Sequence, residues 1–315
     1  MTVRSSSKPI VAPSLSRTGK RILKNYELYL FILPALTFFI IFHYLPIYGI
    51  KIAFVNFNPV AGINGSPWAG MKYFKRFLNS PSFSQLIRNT LTLSAGTLFF
   101  GFPLSILWAL ILNEVRIERF KRISQTISYM PYFISTVVMA SMILIFIKNE
   151  TGLVNKVVVA LGGQSVDYIA KPEAFPAIYV LSGIWQLTGW NAIVYISSLS
   201  GVDQEQHEAA MIDGASRLQR IWHVNLPHIM PTIIIMFIMA AGRFMTVGFE
   251  KVFLLQNNLN LPTSEIISTY VYKVGLIQVQ YSYSSAIGLF NSVINCILLL
   301  VVNAICGRIG DTRLW

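Results

Sequence analysis

Ionisable side chains stranded in apolar sequence are the residues of this chain most able to do chemistry, and Arg243 is the clearest of them. It falls within the apolar run 232–250, where a charge costs at least about 2.5–3.5 kcal/mol and therefore faces a partner or a watery cavity. Glu250 follows seven positions on, which on an unbroken helix is two turns along the same face, so the two are expected to shape one cavity. Arg243 there either holds a carboxylate or hydroxyl of a passing solute or bridges to a helix of another subunit. A second group, Trp185, Gln186, Thr188, Trp190, Asn191 and Tyr195, lies in the apolar run 176–199. Aromatic faces stack on the CH faces of sugars and amides bond their hydroxyls, so this group suits a sugar path; interhelical contact or an interfacial aromatic belt would use the same residue types.

A third group is acidic. Glu205, Glu208 and Asp213 surround the small residues Ala209, Ala210, Gly214 and Ala215, in a polar stretch that runs on to Leu226, Pro227 and Pro231. Little side-chain bulk lets another backbone approach closely, and the acids suit basic groups on a partner. A solvated surface helix lying on its own bundle is the competing account.

Other chemistry finds no footing. There is no H-E-x-x-H, no G-x-S-x-G, no pair of intramembrane aspartates and no G-x-x-x-x-G-K-[ST], so neither an enzyme centre nor an ATP site is expected. His43, His207, His223 and His228 have no supporting ligand set. An ion-coupled carrier usually carries ionisable residues within its spans, and no Asp or Glu lies well inside one, Glu250 being at an edge. The energy source is then external. A membrane scaffold is the remaining alternative.

The elements that must position these residues follow from composition. The chain is 54% hydrophobic and 12% charged over 315 residues, with mean hydropathy +0.57, against roughly 25% charged residues in soluble domains. It reads as an all-α polytopic membrane protein. Six segments reach the roughly 20 residues that cross a bilayer core: 28–50, 90–112, 127–147, 176–199, 232–250 and 284–306. Residues 1–27 form a basic arm with Arg4, Lys8, Arg17, Lys20, Arg21 and Lys24, ahead of a retained first helix and not a cleaved signal peptide. Residues 28–315 are then one six-helix transmembrane domain. The arm and the cluster Arg116, Arg119, Lys121 and Arg122 flank spans most closely, placing both termini on the cytoplasmic side. The net charge of +12 belongs to these flanks, so no nucleic-acid partner is expected, and membrane lipid is. Cys296 and Cys306 are about 15 Å apart on one helix, beyond the roughly 7 Å a disulfide allows. The outer region 51–88 is turn-rich, with Trp68, Tyr73 and Phe74 expected at headgroup depth.

The polar loop 200–231 has its own punctuation. Asp203 followed by Gln206 is a capping-box pattern that starts a helix at Gln204, and Gly214 supplies the stop. Ser216 followed by Gln219 starts a second helix, which Pro227 is expected to interrupt before Pro231 opens the fifth span.

Glu208-Ala209-Ala210, three residues, Gly214, nine residues, then Val224-Asn225-Leu226-Pro227 resembles the EAA loop of the membrane subunits of bacterial binding-protein-dependent ABC importers, with Val224 where that family has Ile. Leu33-Pro34-Ala35, His43 to Gly49 and Ile184 to Asn191 are similar to the branch importing oligosaccharides and polysaccharide fragments, including pectin-derived and uronate-bearing ones. The resemblance implies a coupling helix at about 204–215 seated in a cleft of a separate ATPase. In that picture Glu208 pairs with a basic group of the ATPase, Ala209 and Ala210 permit close contact, and Gly214 makes the turn. It further implies a second permease subunit in a heterodimer, two ATP-binding subunits carrying ATP and Mg, an extracytoplasmic sugar-binding protein, a bacterial plasma-membrane location, and no cofactor in this chain.

Overall fold

The computed structural model describes residues 24–309 and Leu314; most of the expected basic arm, residues 1–23, lies outside the described residues. The described chain is helical. Helix α1, Tyr26–Phe39, continues through a wide π turn, Ile40–Tyr44, and a tighter stretch, Leu45–Phe54. Two short helices follow, α2, Gly62–Gly65, and α3, Lys72–Leu78. Helix α4, Ser82–Gly96, runs through a second π turn, Thr97–Gly101, into α5, Phe102–Asn113. Next come α6, Glu118–Tyr129, α7, Thr136–Phe146, the short outer α8, Leu153–Ala160, and the long α9, Phe175–Leu199. The central loop holds α10, Gln204–Ile212, and α11, Arg217–Arg220; a third π turn, Ile221–Asn225, leads into α12, Leu226–Ala241. The chain closes with α13, Phe249–Leu255, α14, Leu261–Ser264, α15, Ile267–Tyr272, and α16, Tyr281–Ile309.

Four continuous helical stretches are long and apolar enough to cross a membrane: Tyr26–Phe54, Ser82–Asn113, Arg217–Ala241 and Tyr281–Arg308. A bent pair, Glu118–Phe133 with Thr136–Phe146, turned by 98°, reaches that length and polarity only when its two helices are taken together. Helix α9 is also long, its 25 residues extending roughly 37 Å at 1.5 Å per residue. Its serines, glutamine, asparagine and glycines lower its hydropathy because it runs inside the bundle, against α4, α5, α6 and α12.

Three expectations need correction. The third span is not one helix over 127–147: Pro131 falls in a tight turn, Met130–Phe133, Ile134 is extended, and Ser135 restarts the chain by accepting from the Val138 N–H at 3.4 Å. The fifth span does not run over 232–250. It begins on the loop at Arg217 and stops at Ala241, so Arg243 and Glu250 share no helix face. Pro227 does not interrupt it. A proline ring clashes with the carbonyl four residues back, and the widened turn Ile221–Asn225 displaces that carbonyl and lets the helix pass. The same device precedes Pro46 and Pro103.

Three apolar clusters hold the bundle. Ala109, Leu110, Ala192, Tyr195, Leu199 and Ile229 join α5, α9 and α12. Leu93, Ala140, Phe175, Val252 and Leu255 join α4, α7, α9 and α13. Phe77, Leu86, Ile267, Tyr283 and Ile287 join α3, α4, α15 and α16. In the first outer region Trp68 is exposed and stacks on Phe54. Tyr73 instead turns inward, its hydroxyl bonding the Asn56 amide oxygen at 2.8 Å.

The bent span is held by one face of α9. Tyr132 stacks on Trp190 with ring centres 4.0 Å apart, and the Gln186 amide donates to the Ile134 carbonyl at 3.1 Å. At Gly189 a methyl group would collide with the Ser128 carbonyl oxygen. Gly189→Ala should therefore force α6 from α9 at a cost of about 1–3 kcal/mol or more. It is expected to lower the thermal midpoint in detergent, whereas Gly288→Ala, at an open position, should not; equal midpoints for the two variants would contradict the contact.

Candidate functional site

The loop between α9 and α12 is rigid by construction. The Asp203 carboxylate caps α10 by accepting from the Glu205 N–H at 3.0 Å. At its far end the Ala215 N–H bonds the Ala210 carbonyl at 2.9 Å and the Gly214 N–H bonds Met211 at 3.1 Å. These are the paired bonds of a Schellman stop, which places Gly214 at φ +77°, a conformation nearly free only for glycine. Ser216 and Gln219 then form the reciprocal capping box expected from their spacing. Asn225, fully buried, donates to Glu114 at 3.4 Å and so ties the π turn to the end of α5.

No residue of α10 is buried. Glu208, Ala209 and Asp213 are exposed, Ala210 and Ala215 half-buried. Alongside them Ile212, Leu218 and Trp222 are 87%, 78% and 67% exposed. A helix packed on its own bundle would bury such groups, so the surface is open to another molecule. A hollow of about 270 Å³ between α10 and the following turn is lined by Asp213, Gly214, Arg220 and His223 among others. Leu226 is half-buried and Pro227 exposed in the first turn of α12.

The second region surrounds the unwound segment 242–248. With α12 ended, its backbone polar groups need other partners. Asn295 of α16 accepts from the Met245 N–H at 2.8 Å and donates to the Thr246 hydroxyl at 3.0 Å. The Tyr179 hydroxyl of α9 accepts from the Gly248 N–H at 3.2 Å. So held, Arg243 and Asn191 line one cavity of about 210 Å³, together with Ser94, Thr97, Ser105 and Thr188. An adjoining cavity of about 270 Å³ takes Gln186, Glu250 and Lys251. The two share Thr97, Tyr179, Gly183, Leu187 and Gly248 as walls.

The remaining aromatic candidates lie elsewhere. Trp185 borders a separate groove between α5, α6 and α9. Trp190 is spent on Tyr132 and Phe133, and Tyr195, 2% exposed, is core. The structure thus brings Asn191 to Arg243 and Gln186 to Glu250, and leaves the three aromatic rings outside both cavities. Sequence reasoning missed Tyr179, Lys251 and Asn295. Asn295 did carry a signal, being an amide in the middle of the last apolar run.

These elements define a helical membrane protein with an exposed central loop and a partly open cavity walled by α4, α5, α9 and the segment 242–248. The family model of the binding-protein-dependent transport system inner membrane component matches residues 101–310. The chain is 42% identical to Protein LplB of Bacillus subtilis (strain 168), covering 91% of each. It is 40% identical to the polygalacturonan/rhamnogalacturonan transport system permease protein YteP of the same organism, covering 94% of this chain and 92% of that one. A crystal structure of a bacterial ABC transporter involved in the import of the acidic polysaccharide alginate contains a chain that superposes with TM-score 0.87 at 37% identity, covering 93% of this chain and 99% of that chain. A related structure, in complex with an alginate pentasaccharide-bound periplasmic protein, superposes with TM-score 0.87 at 36% identity, over 95% of this chain. The chain belongs to the binding-protein-dependent transport system inner membrane components.

Asn295→Leu removes both bonds to the unwound segment and leaves the Met245 N–H without a partner, a cost of about 1–3 kcal/mol. A lower thermal midpoint and faster proteolysis within 242–248 are expected. Unchanged proteolysis in Asn295→Leu would show that the segment does not depend on α16.

Proposed function

We propose that this subunit forms half of the translocation path of an ATP-driven importer of uronate-bearing oligosaccharides derived from plant or related acidic polysaccharides. The observation that carries the proposal is the joint presence of a capped α10 with no buried residue and a cavity that Arg243 and Asn191 both line, with no carboxylate bonded to the guanidinium among the described residues. The names of the relatives support the substrate class: one transports polygalacturonan and rhamnogalacturonan, and the other matched transporter imports alginate.

In this proposal both termini and the loop 200–231 face the cytoplasm of a bacterial cell. Loop α10 docks on one of two ATP-binding subunits, which carry ATP and Mg; a second, different permease subunit completes the path, and an extracytoplasmic sugar-binding protein delivers the cargo. Glu208 and Asp213 meet basic groups of the ATPase, and Ala209, Ala210 and Ala215 allow its surface to come close. The Schellman stop at Gly214 and the anchored helix through Leu226 and Pro227 make α10 a lever, since ATP can bias the bundle only through contacts that differ between its two states. Arg243 holds a carboxylate or hydroxyl of the sugar in passage. Asn191, Gln186 and Glu250 supply hydrogen bonds, and Trp185, Trp190 and Tyr195 support the helix that carries them.

The test is hydrolysis and uptake by the complex purified with its partners in proteoliposomes, with galacturonate and mannuronate oligosaccharides presented by the binding protein. Stimulation by neither sugar would reject the substrate class, and stimulation by no sugar at all would reject the importer. Gly214→Pro cannot adopt a positive φ and is expected to cut sugar-stimulated hydrolysis at least about tenfold, about 1.4 kcal/mol of coupling, with normal membrane insertion. Arg243→Ala should depress uptake of the uronate probe; unchanged uptake would remove Arg243 from the path.

A further inference from the structure

Lys251 is the one buried charged residue among those described, 8% exposed. Taking an ammonium out of water costs several kcal/mol unless an anion or a full set of hydrogen bonds offsets it. No carboxylate lies within ion-pair distance of it; the described residues form a single ion pair, Lys273 with Glu265 at 2.8 Å. Its Nζ donates to the Tyr179 carbonyl at 2.8 Å and sits 4.6 Å from the centre of the Tyr179 ring. An ammonium has three donors, and those contacts occupy one of them. The bare backbone at Gly183 leaves the head group room, since a Cβ there would lie 3.4 Å from Nζ.

The site is open on one side. Lys251 lines the cavity of about 270 Å³ that adjoins the Arg243 cavity along α9. Tyr179, Gly183, Leu187 and Asn191 recur every four residues, one face of that helix, and they lead from the Lys251 end to the Arg243 end. Glu250 also borders the Lys251 cavity and would oppose an anion, but it is exposed. Charge in contact with water is screened, whereas a buried charge acts at low effective dielectric; Glu250 and Arg243 are both exposed, so Lys251 is the least screened of the three.

We propose that Lys251 is a charge-selecting residue of the path: its ammonium, fixed by Tyr179, receives the carboxylate of one uronate unit while Arg243 receives that of another further along α9. This inference rests on the acidic-oligosaccharide reading above. A charge-assisted hydrogen bond made only with an acidic sugar would discriminate by about tenfold or more.

The experiment uses the complete complex in proteoliposomes, with galacturonate and mannuronate tetrasaccharides presented by the binding protein, and measures sugar taken up and ATP hydrolysed together. Lys251→Met is expected to lower uptake per ATP about tenfold while stimulated hydrolysis stays within about twofold, and Lys251→Arg, which keeps the charge, is expected to restore at least half. Unchanged uptake in Lys251→Met overturns the proposal. So does a loss that Lys251→Arg does not restore, or an equal fall in hydrolysis, either of which assigns Lys251 to holding α13 on α9. If the wild-type complex transports neither probe, the acidic substrate class itself fails and this inference with it; transport by wild type with an unaffected Lys251→Met variant rejects the role of Lys251 alone.

Discussion

In a lipid environment an unpaired backbone N–H or C=O has no water to turn to, so every break in a spanning helix has to be closed by a side chain from a neighbour. This chain breaks two of its spans and closes both from neighbouring helices, α9 and α16. The bend at Ile134 is met by Gln186, and the unwound stretch after Ala241 by Asn295 and Tyr179. Polar residues within the apolar runs therefore do two jobs, and the first is structural. Where a polar side chain has donors to spare beside a cavity, as Lys251 has, the second becomes available.

The same requirement shapes the helices that stay continuous. Proline within a span removes one hydrogen bond and pushes on a carbonyl four residues earlier. Here Pro46, Pro103 and Pro227 each follow a wide π turn that takes up the clash. Two of those turns border the two candidate sites: Thr97–Gly101 walls the Arg243 cavity, and Ile221–Asn225 joins the central loop to α12. Movement of α10 would thus reach α12 through a continuous helix anchored by Asn225 to Glu114, and α12 ends where Arg243 begins the unwound segment. Loop and cavity are the two ends of one element.

Much of this was legible in the residues. Caps are local: Asp203, Gly214, Ser216 and Gln219 act within a few positions of themselves, so their spacing placed α10 and α11 correctly. The apolar runs likewise located the first, second and last long apolar helices, because lipid imposes a length and a polarity that composition must obey. The errors came where a contact distant in sequence decided the outcome. Nothing near Pro131 says that the chain bends at Ile134, since the acceptor's partner is Gln186, 52 residues away. Nothing in 232–250 says that the helix stops at Ala241, since the substitute donor and acceptor belong to Asn295, 50 residues on.

By itself, then, the sequence determined an all-α membrane subunit, its family through the spaced loop motif, and the capped helix of the central loop, all of which depend on neighbours in the chain or on the solvent. Only the tertiary structure decided which polar residues face the cavity. Trp190 and Tyr195 share a helix with Asn191, but periodicity cannot say which face meets another helix and which meets open space. That was settled by the close approach at Gly189 and by α12 against Tyr195, which left Asn191 facing Arg243 and the Lys251 ammonium buried beside Tyr179.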